Sequence, residues 1–199
     1  MPAYLSVHFE FARIAADGLV RRFYNGLARG GAPFKSVLEW GCPPDMPLDE
    51  VVEWNQTKLS SGFVLGFTQD VVHDYRQILL DLAPYSHARV FIMLRGSGVG
   101  FHLIVPEAEI GEFGGAPLAR LARSLWDSVC PRSIQTSGEI DAPVSHDALA
   151  KGAAPAAELF AFLDDQYPLL DSSGLIVEPL SRGRVLAPVA ASRLTSRCS

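Results

Sequence analysis

His8 and Glu10 stand two residues apart in the segment Tyr4 to Phe11, and His102 stands in a second apolar segment, Phe101 to Val105. Two imidazoles and a carboxylate on neighbouring strands would suit a divalent metal or a general base. The remaining histidines, His73, His87 and His146, form no HxxxH or HxH pair with them. Lone strand histidines are commonly solvated or bonded to backbone. Two readings therefore stand side by side: a small hydrolase or metalloenzyme built on His8, Glu10 and His102, or three polar residues on the wet face of a sheet.

Other chemical signatures are weaker. Gly96, Gly98 and Gly100 have phosphate-loop spacing, but such a loop must open a helix whose amides receive the phosphate, and here a strand-like run follows. Ser61, Ser97 and Ser173 lack the GxSxG elbow, and Cys42 lies between Gly41 and Pro43 with no histidine nearby. The three cysteines, Cys42, Cys130 and Cys198, are widely spaced and odd in number, which fits reduced thiols better than a zinc site or a disulfide framework. No cofactor or metal is expected, and no catalytic motif is complete.

Charge is distributed unevenly. Glu39, Asp45, Asp49, Glu50 and Glu53 occur with no lysine or arginine between Lys35 and Lys58. Glu107, Glu109 and Glu112 form a second acidic group, and Glu158, Asp164, Asp165 and Asp171 a third. Such runs are usually solvated faces, yet clustered carboxylates also steer a basic partner into contact. Trp40 and Trp54 flank the first group and would serve as aromatic anchors or as core. The candidate partner-binding residues are thus Glu39, Asp45, Asp49, Glu50, Glu53, Trp54, Glu107, Glu109 and Glu112.

The elements that must position these residues follow from periodicity. Leu5, Val7, Phe9 and Phe11 alternate with Tyr4, Ser6, His8 and Glu10, which predicts a half-buried strand. Asp17 is placed to cap a helix with Leu19, Val20, Phe23 and Leu27 on one side and Gly30 as its stop. Phe34 to Trp40 reads as a strand, the proline-rich 41–47 stretch as a loop, Leu48 to Lys58 as a short helix and Phe63 to Phe67 as a strand. From Thr68, the stripe Val71, Val72, Tyr75, Ile78, Leu79 and Leu82 predicts another helix. Arg89 to Arg95 and Phe101 to Val105 read as a hairpin, and Pro117 opens a helix bearing Leu118, Leu121, Leu125, Trp126 and Val129. Residues Ile134 to Lys151 carry no strong period. A last helix is expected from Pro155 to Gln166, and a closing hairpin from Leu175 to Leu186 turning at Ser181-Arg182-Gly183. Strands in pairs with helices between them indicate an α+β class, a mixed and mostly antiparallel sheet covered by helices. The expected organisation is one domain over residues 1–186 and a poorly ordered tail over 187–199.

Composition sets outer bounds. The 199 residues suffice for one substantial core, and 48% apolar with 20% charged residues is ordinary globular usage. A net charge of −5 offers no footprint for direct nucleic-acid binding. No apolar run is long enough for a bilayer, and the start of the chain lacks the pattern of a secretory signal, so a cytoplasmic protein is expected.

Several phrases bear on family. The opening strand and helix, the run Val90-Phe91-Ile92-Met93-Leu94-Arg95 with its partner strand, the helix ending Leu125-Trp126-Asp127, and Val177-Glu178-Pro179-Leu180 with Gly183 together resemble the immunity protein 52 family of bacterial polymorphic-toxin and type VI secretion systems. The resemblance covers most of the chain thinly. It implies a cytoplasmic protein that performs no reaction and binds a cognate toxic effector, a nuclease of the restriction-endonuclease type. No contact motif of that family matches positions here, so the acidic residues named above rest on charge alone.

Overall fold

Leu5, Val7, Phe9 and Phe11 form the inward row of strand β1 (Tyr4–Ala12), against which the aromatic ring of Phe23 packs edge-on. The computed structural model describes residues 3–12, 17–39, 41–64, 75–95, 98–138 and 142–189. Among them the chain runs β1, α1 (Leu19–Arg29), β2 (Phe34–Val37), α2 (Leu48–Val64), β3 (Ile78–Leu80), β4 (Arg89–Arg95), β5 (Gly98–Pro106), α3 (Glu107–Phe113), α4 (Ala116–Val129), β6 (Ser133–Gly138), α5 (His146–Ala150), β7 (Ala161–Leu163), β8 (Leu175–Pro179) and β9 (Arg184–Pro188). The strands make one nine-stranded sheet in the order β2-β3-β4-β5-β1-β6-β7-β9-β8. Every ladder between these strands is antiparallel, and the fold class is α+β.

One sheet face carries the main core. Helices α1, α2 and α4 lie over it, with Phe23 stacked on Phe101 at 4.0 Å between ring centroids and Trp126 fully buried. A smaller cluster of Leu149, Ala161, Leu163, Tyr167 and Leu186 joins α5 to β7 and β9. The ladders place Ala161, Leu163 and Leu186 on the face opposite α1, in register with Gln135 and Ser133.

Several expectations change. The polar row of β1 is not wet: β1 is the fifth strand of nine, covered on both sides, and Ser6 and His8 are buried. Gly18, left-handed at φ 63°, is the N-cap of α1 in place of Asp17, and the Gln56 side chain accepts from the Val20 amide there. Helix α2 continues past Lys58 through Val64, so Phe63 and Val64 are helical where a strand was expected; residues 65–67 lie outside the described residues.

The helix expected over Thr68 to Leu82 is strand β3 at Ile78–Leu80, and its earlier part, 68–74, lies outside the described residues. Asn55 explains the local geometry: its Oδ1 accepts from the Arg76 amide at 2.6 Å and its Nδ2 donates to the Arg76 carbonyl at 2.9 Å. Both backbone groups are thereby bound to α2 and withdrawn from a helix ladder. The expected helix over Pro155 to Gln166 is likewise absent. Thr136 donates to the Phe160 carbonyl and accepts from the Leu159 and Phe160 amides, leading the chain into β7 between β6 and β9. The aperiodic 134–151 stretch holds β6 and α5. The closing hairpin forms as expected, with β9 running to Pro188, and 190–199 lies outside the described residues.

Candidate functional site

The face of β1 turned away from α1 carries Ser6, His8 and Glu10, and its neighbours continue the polar row. His8 is opposite His102 on β5 and Gln135 on β6, Ser6 is opposite Ser137, and Glu10 is opposite Gly100 and Ser133. A stripe of hydroxyl, imidazole, amide and carboxylate groups thus crosses the three central strands. His8, His102 and Ser137 are 6%, 4% and 4% exposed.

The geometry of the two histidines is specific. Their rings are perpendicular, at 89°, with centroids 4.2 Å apart. His8 Nδ1 lies 3.1 Å from His102 Nδ1 and 3.2 Å from His102 Nε2. An atom nearly equidistant from both nitrogens of a perpendicular ring sits over the ring's face; an in-plane hydrogen bond would aim at one nitrogen. The edge of His8 thus meets the face of His102 in a buried perpendicular contact. His8 Nε2, on the other side, is hydrogen-bonded to Ser137 Oγ at 2.8 Å. Ser137 was not singled out from sequence, because β6 is buried on both faces and shows no alternation.

Glu10 shares this face without joining the pair. Arg132 Nη2 donates to its Oε1 at 2.8 Å and Ser133 donates to its Oε2 at 3.4 Å, with both ionic partners largely buried. Gln135 is equally committed, accepting from the Val144 and Ala156 amides and donating to the Val144 carbonyl. Among the described residues no three of His, Cys, Asp or Glu stand close enough to share a metal ion. The expected triad of His8, Glu10 and His102 is thus brought onto one face but divided into an imidazole pair and a separate ion pair.

The acidic residues divide in the same way. Asp45, Asp49, Glu50 and Glu53 are exposed before and along α2, and Trp54 beside them is 42% exposed. Asp49 accepts from Arg21 of α1 at 2.7 Å on the open surface. Glu39 is different: it is mostly buried and receives Arg76 at 2.9 Å, while the Arg76 guanidinium lies 4.2 Å from the Trp54 ring centroid. Glu39 thus holds an internal stack. Trp40 lies outside the described residues. An open cleft of about 500 Å³ between α1 and α2 is lined by Arg21, Arg22, Glu53 and Gln56 among others.

Glu107 and Glu112 are exposed on α3, whereas Glu109 accepts from the Ser86 amide at 2.9 Å and from its hydroxyl. The two acidic groups are not contiguous. Glu107 donates its amide to Ala3 at the start of β1, while Asp49 meets Arg21, two residues before the Phe23 that packs on Phe9 and Phe11 toward the other end.

The fold and these surfaces define an α+β protein with a continuous antiparallel sheet, an acidic helical face on one side and a buried imidazole pair on the other. No family model matches the chain, and no curated protein matches it. Among solved structures the chain is similar to the T6SS protein PA0821 of Pseudomonas aeruginosa, with 12% identity and a TM-score of 0.41 over 93% of this chain and 68% of that one. The resemblance to the immunity protein 52 family rests on the sequence phrases alone. No helix among the described residues is long and apolar enough to cross a membrane.

Proposed function

We propose that this chain is a cytoplasmic immunity protein that binds and neutralises a cognate toxic effector, a nuclease of a type VI secretion or polymorphic-toxin system. The observation that carries the reading is the outer face of α2 with the loop before it. Asp45, Glu50 and Glu53 are exposed there and form no ion pair among the described residues, and Trp54 on the same helix is 42% exposed, with Arg76 and Lys58 against its ring. A nuclease must present a basic surface to phosphate, and exposed carboxylates on the helix that also presents an aromatic side chain complement such a surface. Long-range attraction speeds encounter, and the ring supplies desolvated contact area. Neutralisation by occlusion needs no turnover, and none of these residues is required as a nucleophile or base. Glu39 is excluded from the contact set by its internal pairing with Arg76.

The test begins with the tagged chain in its native bacterium. Stoichiometric recovery of one toxin whose lethality is relieved by co-expression is the expected result. The double variant Glu50→Lys, Glu53→Lys should then slow association at least tenfold at low salt, with the difference shrinking as salt rises. Recovery of no toxin, or an unchanged rate in the double variant, would overturn the assignment.

A further inference from the structure

We propose that the outer edge of β8 binds an extended segment of a second protein by taking it up as a further antiparallel strand, with a basic residue of that segment opposite Glu178 and apolar residues opposite Val177 and Leu175. The edge lies beyond β6, β7 and β9, on the other side of β1 from the strand β4 that α2 contacts, and is independent of the toxin-binding reading.

The pairing of β8 with β9 fixes which backbone groups face outward. The Leu180 amide donates to the Gly183 carbonyl at 2.9 Å and the Val189 amide to the Gly174 carbonyl at 3.1 Å, and the pairs Ile176 with Ala187 and Glu178 with Val185 share that register. The even-numbered residues of β8 thus bond to β9, and Leu175, Val177 and Pro179 turn their backbone groups to the edge, which no strand among the described residues occupies. Pro179 and Pro188 both stand in the pairs that exchange no bonds, so neither deprives the hairpin of a donor. The Leu175 amide is taken by the Ser172 carbonyl at 3.0 Å. The edge therefore offers one amide, that of Val177, and three carbonyls, those of Leu175, Val177 and Pro179.

That inventory selects the occupant. A foreign strand centred on Val177 makes four bonds, two with Val177 and one from its own amides to each of the Leu175 and Pro179 carbonyls. A second copy of β8 centred on the same residue makes only two, because Pro179 has no amide and that of Leu175 is occupied. The opposite edge of the sheet is blocked to such pairing, since β2 carries a bulge between Phe34 and Ser36 and an exposed Lys35. Strand β8 keeps one unbroken register and has no lysine or arginine. Its side chains are open: Val177 is 40% exposed on the face it shares with Leu186, and Glu178 is exposed on the other face. Glu178 forms no ion pair among the described residues, and Arg184, across from Pro179, donates to the Tyr167 carbonyl. Cross-strand pairing then favours a cation against Glu178 and a β-branched residue against Val177.

Titration of the isotope-labelled full chain with the peptide acetyl-STKVTVS-amide, whose lysine and two valines would face Glu178, Val177 and Leu175, tests this by amide NMR. The Val177 amide proton should move downfield as it gains an acceptor, with shifts confined to β8 and its immediate neighbours and saturating below about 1 mM peptide. Val177→Pro removes the outward amide and leaves the β8–β9 bonds in place; read at the Glu178 amide, it should weaken binding about tenfold or more without altering the melting temperature by more than a few degrees. Glu178→Lys should weaken binding at low salt, and a peptide with glutamate in place of its lysine should bind Glu178→Lys better than it binds wild type. No shift at Val177 with peptide at about 1 mM, or equal affinity in folded Val177→Pro, would refute the proposal. A Val177 shift that follows protein concentration alone, with dimers in sedimentation, would assign the edge to a second copy and overturn it as well.

Discussion

Arg182 ties the β8–β9 hairpin to the end of α4 with both terminal guanidinium nitrogens. Nη1 donates to the Asp164 carboxylate at 2.6 Å and to the Pro131 carbonyl at 3.0 Å, and Nη2 donates to the Trp126 carbonyl at 3.0 Å. Its Cζ sits 3.7 Å from the Trp126 ring centroid, and its own carbonyl accepts from Trp126 Nε1 at 2.9 Å. Charge-assisted bonds to backbone and a stacked cation–π contact are each worth more than an exposed ion pair. Arg182→Ala should therefore cost about 2–4 kcal/mol in urea denaturation, and Arg182→Lys should recover less than half, because an ammonium cannot keep the planar fork. A loss below about 0.5 kcal/mol, the level of an ordinary surface change, would show that the hairpin is held by its strands alone. From sequence, Ser181-Arg182-Gly183 was legible as a turn, since turn chemistry is local. The partners of Arg182 were not, because Trp126, Pro131 and Asp164 are distant in sequence and share no period with it. Ser137 escaped notice for the same reason: its significance comes from His8, 129 positions away.

The contact between α1 and α4 shows how much an element depends on what it meets. A Cβ on Gly26 would stand 2.6 Å from Val129 Cγ2 and 2.7 Å from Leu125 Cδ2, and one on Gly30 would stand 2.6 Å from Leu121 Cδ1. Helix propensity favours replacing Gly26 by about 1 kcal/mol, while overpacking opposes it by about 1–3 kcal/mol. The obstructing atoms are ends of flexible side chains, so Gly26→Ala should be near neutral. Gly26→Val adds two methyl groups to the same space and should lower thermal stability by about 2 kcal/mol. A stabilised Gly26→Val would mean that the two helices part freely and that their packing is not close. Elements with a clear local signal were legible: β1, α1 and α4 lie where alternation or a helical stripe puts them, and β4, β5 and the final hairpin where apolar runs joined by turn residues put them. The failures have a common cause. Ile78–Leu80 and Ala161–Leu163 are short apolar runs in strands with neighbours on both sides, and such runs fit helical spacing equally well until a partner such as Asn55 or Thr136 decides. The candidate site was half legible. The sequence offers His8 and His102 as a cluster only if their strands are neighbours, which the β1–β5 ladder makes them, but their burial depends on what covers a central strand, which no local pattern encodes.

At the scale of the molecule, three buried tyrosines join separate layers and are shifted in the same direction. Tyr24 accepts from Asn55 between α1 and α2, Tyr85 donates to the Gly114 carbonyl at the end of α3, and Tyr167 pairs with His146 of α5. Burial raises all three phenol pKa values: Tyr85 and Tyr167 to about 12, and Tyr24 further. For Tyr85, Arg120 opposes the rise and Glu109 adds to it; for Tyr167, Arg132 opposes it while Glu10 and Asp164 add. In the unfolded chain a phenol titrates near pH 10. The folded state therefore holds its protons more tightly, so this contribution to stability is complete below about pH 10 and is lost as pH rises toward about 12. Because the three sites lie in different layers, ionisation should loosen α1–α2, α3 and α5 together and give one cooperative alkaline transition. Circular dichroism and tyrosinate absorbance followed over the same pH series should change together above pH 10. Tyr85→Phe, which removes one of the three titrations, should flatten the fall while lowering the plateau by about 1 kcal/mol for the lost bond to Gly114. Full tyrosinate absorbance near pH 10 with the fold intact would show that these phenols are open to water and that the three junctions are looser than their hydrogen bonds indicate.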